Sequence, residues 1–350
     1  MGNVLPERSG YPVPAPDPAS RVQWPDDFGT RFTIFVDTEE EFDWGAPLSA
    51  DADGTRHMAA LPPVHARFAA AGVALTYLVD YPIATSPLAI DVLREVIRDG
   101  RSAIGTQLHP WVNPPHLEEV NGFNSFTGNL PLELQRAKLA TLTEAVTAIS
   151  GARPLVYRAG RYGIGPDTPR LLAELGYRID SSMRSAYDYS GEGGPDFSAV
   201  PNHAFLLGDL IELPFTTVFT GRLRRGGAGL HRGLGRVPKG VGIASRLGLL
   251  SRVALTPEDM PLHEAKEAIR VTVGEGLQLL NFAFHSPSVE PGHTPYVRTE
   301  ADLSAFLHWW DEVLALLDRL GVRSASVDEI IAAACGAGRG SASAGSAGGL

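Results

Sequence analysis

The feature that most constrains this chain is a theme repeated between residues 31 and 327: a short apolar or β-branched run, a polar turn, an amphipathic stretch, then a glycine. The first run, residues 31–44, reads RFTIFVDTEEEFDW. In it Phe32, Ile34 and Val36 alternate with neighbours that are mostly apolar or β-branched, the pattern of a strand buried on both faces. Further strands are expected at 73–79, 102–107, 155–157, 177–179, 210–213, 277–284 and 322–327, and helices at 62–71, 86–97, 131–149, 168–175 and 261–273. Another helix, carrying Trp309 and Trp310, follows a capping box made by Thr299 and Asp302. Strand and helix alternate along the chain at the count of a barrel, and no GxGxxG follows the first strand. A single-domain parallel α/β barrel is therefore expected in preference to an open dinucleotide-binding sheet.

The chain of 350 residues is long enough to bury one large core, and its formal charge of −10 argues against nucleic-acid binding by the surface as a whole. Its one cysteine, Cys335, excludes an internal disulfide and a thiolate metal cluster, and fits a reducing compartment. No stretch has the length and apolarity of a secretion signal or a membrane span, so a soluble, cytoplasmic protein is expected. Gly2 does not open a myristoylation motif, because position 6 is proline. Residues 1–28 read as an extended, proline-punctuated leader, 29–335 as the barrel and 336–350 as a disordered tail.

In a parallel barrel the residues just past the strand ends gather on one face, however far apart they lie in sequence. Here they are Asp37, Glu39, Glu40 and Glu41, then His109, Arg158, Arg161, Asp180 and His285. Four acids in five residues repel one another unless a cation or a transferable proton offsets them. Taken singly, the acidic run reads more readily as a solvated loop after a core strand, and His109 equally as a hydrogen-bonded structural histidine. Their recurrence at separate strand ends favours a site.

These strings, in this order, resemble the polysaccharide deacetylase family over residues 31–330. FVDTEEEF stands at the family's acidic motif, AIGTQLHPW at its histidine motif and VYRAGRYG at its arginine motif, while YRIDSS and NFAFHS match the last two. HPWVNPP, RAGRYG, FHSPS and GHTPYVR look closest to a bacterial branch associated with cell-surface polysaccharide genes. The resemblance implies an irregular barrel of about seven strands and a divalent metal, zinc foremost, with manganese, cobalt, nickel or iron as other choices. It also implies Asp37 as catalytic base, Arg158 or Arg161 as its orienting partner, and His285 as general acid. The family places an aspartate beside the base, where Thr38 stands here. Glu39, then Glu40, is taken as the carboxylate ligand, His109 as the imidazole, and Gln107 occupies the place of a first histidine. Trp111 stands where a second histidine often falls.

The function so implied is metal-dependent removal of an N-acetyl or other acyl group from an amino sugar of a polysaccharide or its lipid-linked precursor. A catalytically silent relative that binds glycan or a partner is the alternative. A metal-free glycoside hydrolase using Glu39 or Glu40 with Asp180 is a third reading. Trp44, Tyr81, Trp111 and Tyr162 are available to stack on sugars or to fill the core. Residues 214–257 form a glycine-rich insertion without a single acid, in which Arg222, Arg224, Arg225, Arg232, Arg236, Lys239, Arg246 and Arg252 accumulate. It suits an anionic glycan, a pyrophosphate-linked lipid or an acidic membrane surface met through residues 222–252, and equally a mobile, soluble lid.

Overall fold

The computed structural model describes residues 10–237 and 239–342. Its main sheet contains β1 (Arg31–Thr38), β2 (Leu75–Val79), β3 (Ala103–Leu108), β4 (Val156–Ala159), β5 (Ile179–Asp180), β6 (Phe205–Leu207) and β7 (Leu210–Glu212). After a separate ribbon of β8 (Thr217–Thr220) and β9 (Ser251–Ala254), the chain returns through β10 (Leu279–His285) and β11 (Arg323–Ser324). The order is β10-β1-β2-β3-β4-β5-β7-β6, with β11 added beside the start of β1. Every pairing from β10 across to β7 is parallel, and only β6 runs antiparallel. Asn281 joins the two ends of the parallel run. Its backbone carbonyl accepts from Thr216 N at 3.3 Å, and its side-chain amide donates to Leu213 O at 3.0 Å. The sheet therefore curls into an incomplete barrel stitched at one seam by isolated hydrogen bonds.

Helices α1 (Leu61–Ala70), α2 (Tyr81–Thr85), α3 (Pro87–Val96), α4 (Leu132–Ser150) and α5 (Thr168–Glu174) connect successive strands. Two more, α6 (Gly227–Gly235) and α7 (Gly240–Arg246), lie in the insertion; α8 (Leu262–Gly274), α9 (Glu300–Arg319) and α10 (Val327–Ala342) complete the chain. The capping box expected at Thr299 and Asp302 opens α9, whose Trp310 packs at 5.2 Å from Phe68 and 5.5 Å from Phe284. Sequence periodicity is obeyed here because a wide apolar stripe has a strand to cover.

The chain ends differ from expectation. The strand expected at 322–327 stops at Ser324, because Ser326 and Glu329 cap each other's backbone and start α10. α10 continues to Ala342, past the expected start of the tail at 336, while residues 343–350 lie outside the described residues. Residues 1–9 of the expected leader also lie outside them. Residues 10–28 are extended apart from two single turns, and strap onto the body through Val13, whose N–H donates to Asp196 O at 3.0 Å, and Val22, whose N–H donates to Ala204 O at 2.9 Å.

Candidate active site

β1 delivers Asp37 at its C-terminal end, directly opposite His285 at the end of β10 in the strand register. Two strands away, β3 ends beside His109, and Arg158 lies on β4 opposite Gln107 on β3. Asp37, Glu39, Gln107, His109, Arg158, Arg161 and His285 all line one cavity of about 410 Å³. Residues as far apart as 37 and 285 thus meet because parallel strands end on one face.

Arg158 and Asp37 are both buried and joined at 2.7 Å between Nη1 and Oδ1. Ser181 holds the rest of the guanidinium, accepting Nε through its carbonyl at 3.0 Å and Nη2 through its hydroxyl at 3.1 Å. This fixes Asp37 and leaves Oδ2 facing His285 Nε2 at 3.8 Å. Arg161 lines the same cavity but turns elsewhere, to Ser125 Oγ at 2.6 Å and to the Glu192 carboxylate. Of the two arginines considered as the partner of Asp37, Arg158 makes the contact. Arg161 and Tyr162 both have left-handed backbone, with φ of 53° and 58°. Such strain in residues other than glycine persists only where surrounding contacts hold it. Gly160 before them is needed for room, since a Cβ there would lie 2.4 Å from His109 Cδ2.

His285 is held by Glu258, whose Oε2 lies 2.6 Å from Nδ1 and whose Oε1 accepts the His285 backbone N–H at 3.1 Å. Burial alone would depress the imidazole. The charges of Glu258, Glu39 and Asp37 outweigh it and raise His285 to about 10. The protonated ring donates through Nδ1 to Glu258, which leaves Nε2–H facing the cavity.

His109 has a different setting. Nδ1 lies 2.8 Å from Glu40 Oε2, Trp111 stacks on the ring at 4.3 Å, and Trp111 Nε1 donates to Glu40 Oε1 at 2.7 Å. Nε2 faces Glu39 Oε2 at 3.6 Å. Burial pushes Glu39 up to about 8 and Glu40 up to about 6, while Asp80 is raised well above the carboxylate range by burial and then by the charge of Glu40.

Two groupings here could hold a cation. Glu40, Asp80 and His109 offer ligand atoms within 4.8 Å of one another, and all three are buried. Their oxygens are already engaged: besides the bonds to Glu40 above, Asp80 Oδ1 caps α2 through Ile83 N at 2.9 Å and Oδ2 accepts Glu40 N at 2.7 Å. On the cavity side, by contrast, Glu39 Oε1 and Gln107 Oε1 are buried acceptors without a hydrogen-bond partner among the described residues, and Glu39 Oε2 faces His109 Nε2 at 3.6 Å. Orphaned acceptors beside an imidazole are what a cation would satisfy. Glu40, one of the expected ligands, belongs to the first grouping, and its two oxygens contact His109 and Trp111.

Neither a sequence-family profile nor a curated protein matches this chain. Solved structures do. The "putative polysaccharide deacetylase from Mycobacterium smegmatis" aligns over 90% of this chain and 93% of its own, with a TM-score of 0.53 at 20% identity. The fold is that of the polysaccharide deacetylases. A chitin deacetylase from the fungal pathogen Colletotrichum lindemuthianum aligns over 91% of this chain and 92% of its own at 13% identity and a TM-score of 0.44. An allantoinase aligns over 87% and 92% at 15% identity and a TM-score of 0.48.

On that barrel, several cavity residues were not singled out by sequence. Nor was Glu258, which holds His285 without itself lining this cavity, although the sequence held a cue: it is the first acid after the acid-free insertion, just past β9. Arg184, Tyr189 and Tyr296 also line the cavity but sit in irregular segments, where no periodicity marks them. Among the aromatics, Trp44 lies half-open at the mouth, 5.2 Å from His285 and 5.6 Å from Tyr296. Trp111 is buried and Tyr81 starts α2 outside the cavity lining. Asp180 is buried on β5, bonded to Ser182 Oγ and raised by burial to about 7; it lies outside the cavity lining. That placement gives no support to an acid pair with Glu39 or Glu40.

Proposed function

We propose that this protein is a metal-dependent hydrolase that removes an acyl group, acetyl foremost, from the amine of an amino sugar in a polysaccharide or its lipid-linked precursor. The observation that carries the reading is the pair of opposed, independently anchored groups on one cavity, Asp37 on Arg158 and His285 on Glu258. Amide hydrolysis needs a base for the attacking water and an acid for the departing amine, and these two groups have complementary equipment. Asp37 Oδ2, the oxygen not bound by Arg158, takes a proton from water as the new C–O bond forms. His285 gives its Nε2 proton to nitrogen as the C–N bond breaks, leaving a free amine and a carboxylate. Glu258 stabilises the imidazolium before transfer and holds the ring in orientation. The Trp44 face, partly open, would cover a sugar ring at the mouth.

Glu39, His109 and Gln107 would hold the metal, with Glu40 as the carboxylate that fixes the His109 tautomer. Bound there, a divalent ion would supply Lewis acidity toward an acyl oxygen and toward water.

The decisive experiment measures acetate release from a panel of N-acetylated oligosaccharides. Release that needs divalent metal and is abolished by chelator supports the reading. No release from any acylated amino sugar, with stoichiometric metal bound, would favour the silent binder. A further expected result concerns the amide ligand, since a neutral amide oxygen is a weaker donor to zinc than imidazole. Gln107→His should tighten zinc binding by about tenfold or more in calorimetric titration; unchanged affinity would place Gln107 outside the coordination sphere.

A further inference from the structure

The insertion leaves the barrel as the antiparallel ribbon of β8 and β9, carrying α6 and α7 at its far end. Its surface is not explained by the barrel. α6 buries no side chain, and its glycines at 227, 229, 233 and 235 disfavour a helix relative to alanine. A helix so short and so rich in glycine gains its stability from a surface it lies on. Within the segment five large apolar side chains face outward: Leu223 at 47% exposure, Leu230 at 36%, Val237 at 57%, Ile243 at 53% and Leu247 at 65%.

Arg222, Arg225, Arg232, Arg236, Lys239 and Arg246 are exposed among them and make no ion pair among the described residues. Arg224 does, with Glu275 at 3.7 Å. The other acids facing the segment come from α8: Glu267 accepts the Gly221 N–H, and Glu264 accepts from Ser251 and Ser245. These bonds fasten the base of the ribbon and leave the outer cations free. A soluble polyanion would satisfy the cations but gain nothing from exposed leucine and isoleucine. An anionic bilayer uses both, apolar side chains entering the acyl boundary and cations meeting headgroups.

We propose that residues 222–247 are an in-plane anchor that seats the protein on an anionic lipid bilayer. No helix among the described residues is long and apolar enough to cross a membrane, so the attachment lies on the surface. The base of the ribbon that carries the anchor reaches toward the candidate active site. Arg252 on β9 covers the Tyr187 ring at 3.6 Å, and Tyr187 stacks on Tyr189, a cavity residue, at 6.1 Å.

The test floats the full-length chain with vesicles of phosphatidylcholine alone, or of equal parts phosphatidylcholine and phosphatidylglycerol. Binding to the anionic vesicles only, weakening with salt, is expected. Replacing Leu230→Ser, Ile243→Ser and Leu247→Ser together should lower that partitioning by at least about tenfold at low salt. Replacing Arg232→Gln, Arg236→Gln and Arg246→Gln together should remove the discrimination between the two vesicles. Absence of binding to either vesicle overturns the proposal. So does unchanged binding by the apolar variant, which would mark a charge-only surface for a soluble polyanion. Hydrogen exchange on the unaltered chain tests the same surface without substitution: vesicles should protect backbone amides within 222–247, and protection confined to other residues overturns the anchor. Vesicle binding is read without turnover, so its failure and a failure of the deacylase reading are separate results.

Discussion

Asp37→Asn should lower kcat for acetate release by about 10²–10⁴-fold, the usual contribution of a positioned general base, with little change in KM. Asparagine keeps an oxygen for Arg158 but cannot accept the water's proton. The same substitution leaves the Arg158 guanidinium buried without its counter-charge, bonded only to neutral groups, Ser181 and the new amide oxygen. Breaking a buried pair in this way costs about 3–5 kcal/mol when one partner is removed entirely, and an isosteric amide should cost less. Urea denaturation would show that loss separately from the kinetic one. A variant that retains full turnover would remove Asp37 from the role of base, whatever its stability.

Glu258→Gln should move the alkaline limb of the pH–rate profile acidwards by about one to two units. Glu258 is the leading charge that raises His285 to about 10 against the depressing effect of burial, so a proton donor at His285 survives well above neutrality. Glutamine keeps one oxygen for either the imidazole or the His285 backbone N–H, which use different oxygens of Glu258, and carries no negative charge. Turnover below the shifted limb should persist, which separates loss of charge from collapse of the site. The stability sign follows from the same shift. Protonated His285 contributes stability fully present below its ordinary value of 6.5, and lost as the pH rises through about 10. In Glu258→Gln that loss should begin at lower pH. An unmoved limb, with His285 followed directly by NMR titration, would show that Glu258 does not tune the acid.

Both results depend on features that differ in how visible they were in the sequence. Asp37, His109 and His285 each follow an apolar run, and strand ends in a parallel barrel share a face, so their convergence could be read from pattern alone. The choice between Arg158 and Arg161 could not. They are three residues apart in one turn, and the left-handed backbone at Arg161 and Tyr162 sends Arg161 to Ser125 while Arg158 stays under Asp37. The place of Glu40 was equally hidden. Adjacent acids Glu39 and Glu40 look interchangeable in sequence, yet one points to the cavity and the other is claimed by His109 and Trp111.

Local pattern, then, determined the alternation of strands and helices, the capping box of α9 and the strand ends at which ionisable residues appear. Those depend on interactions within a few residues: side-chain period, caps, glycine stops. Tertiary structure alone decided the partners of those residues. Glu258 comes to His285 from a separate ribbon, the barrel closes at Asn281 through isolated hydrogen bonds, and the apolar side chains of the basic insertion remain uncovered. Each of these is set by which distant segments pack together, and a buried charge or an exposed leucine acquires its meaning only from what lies opposite it.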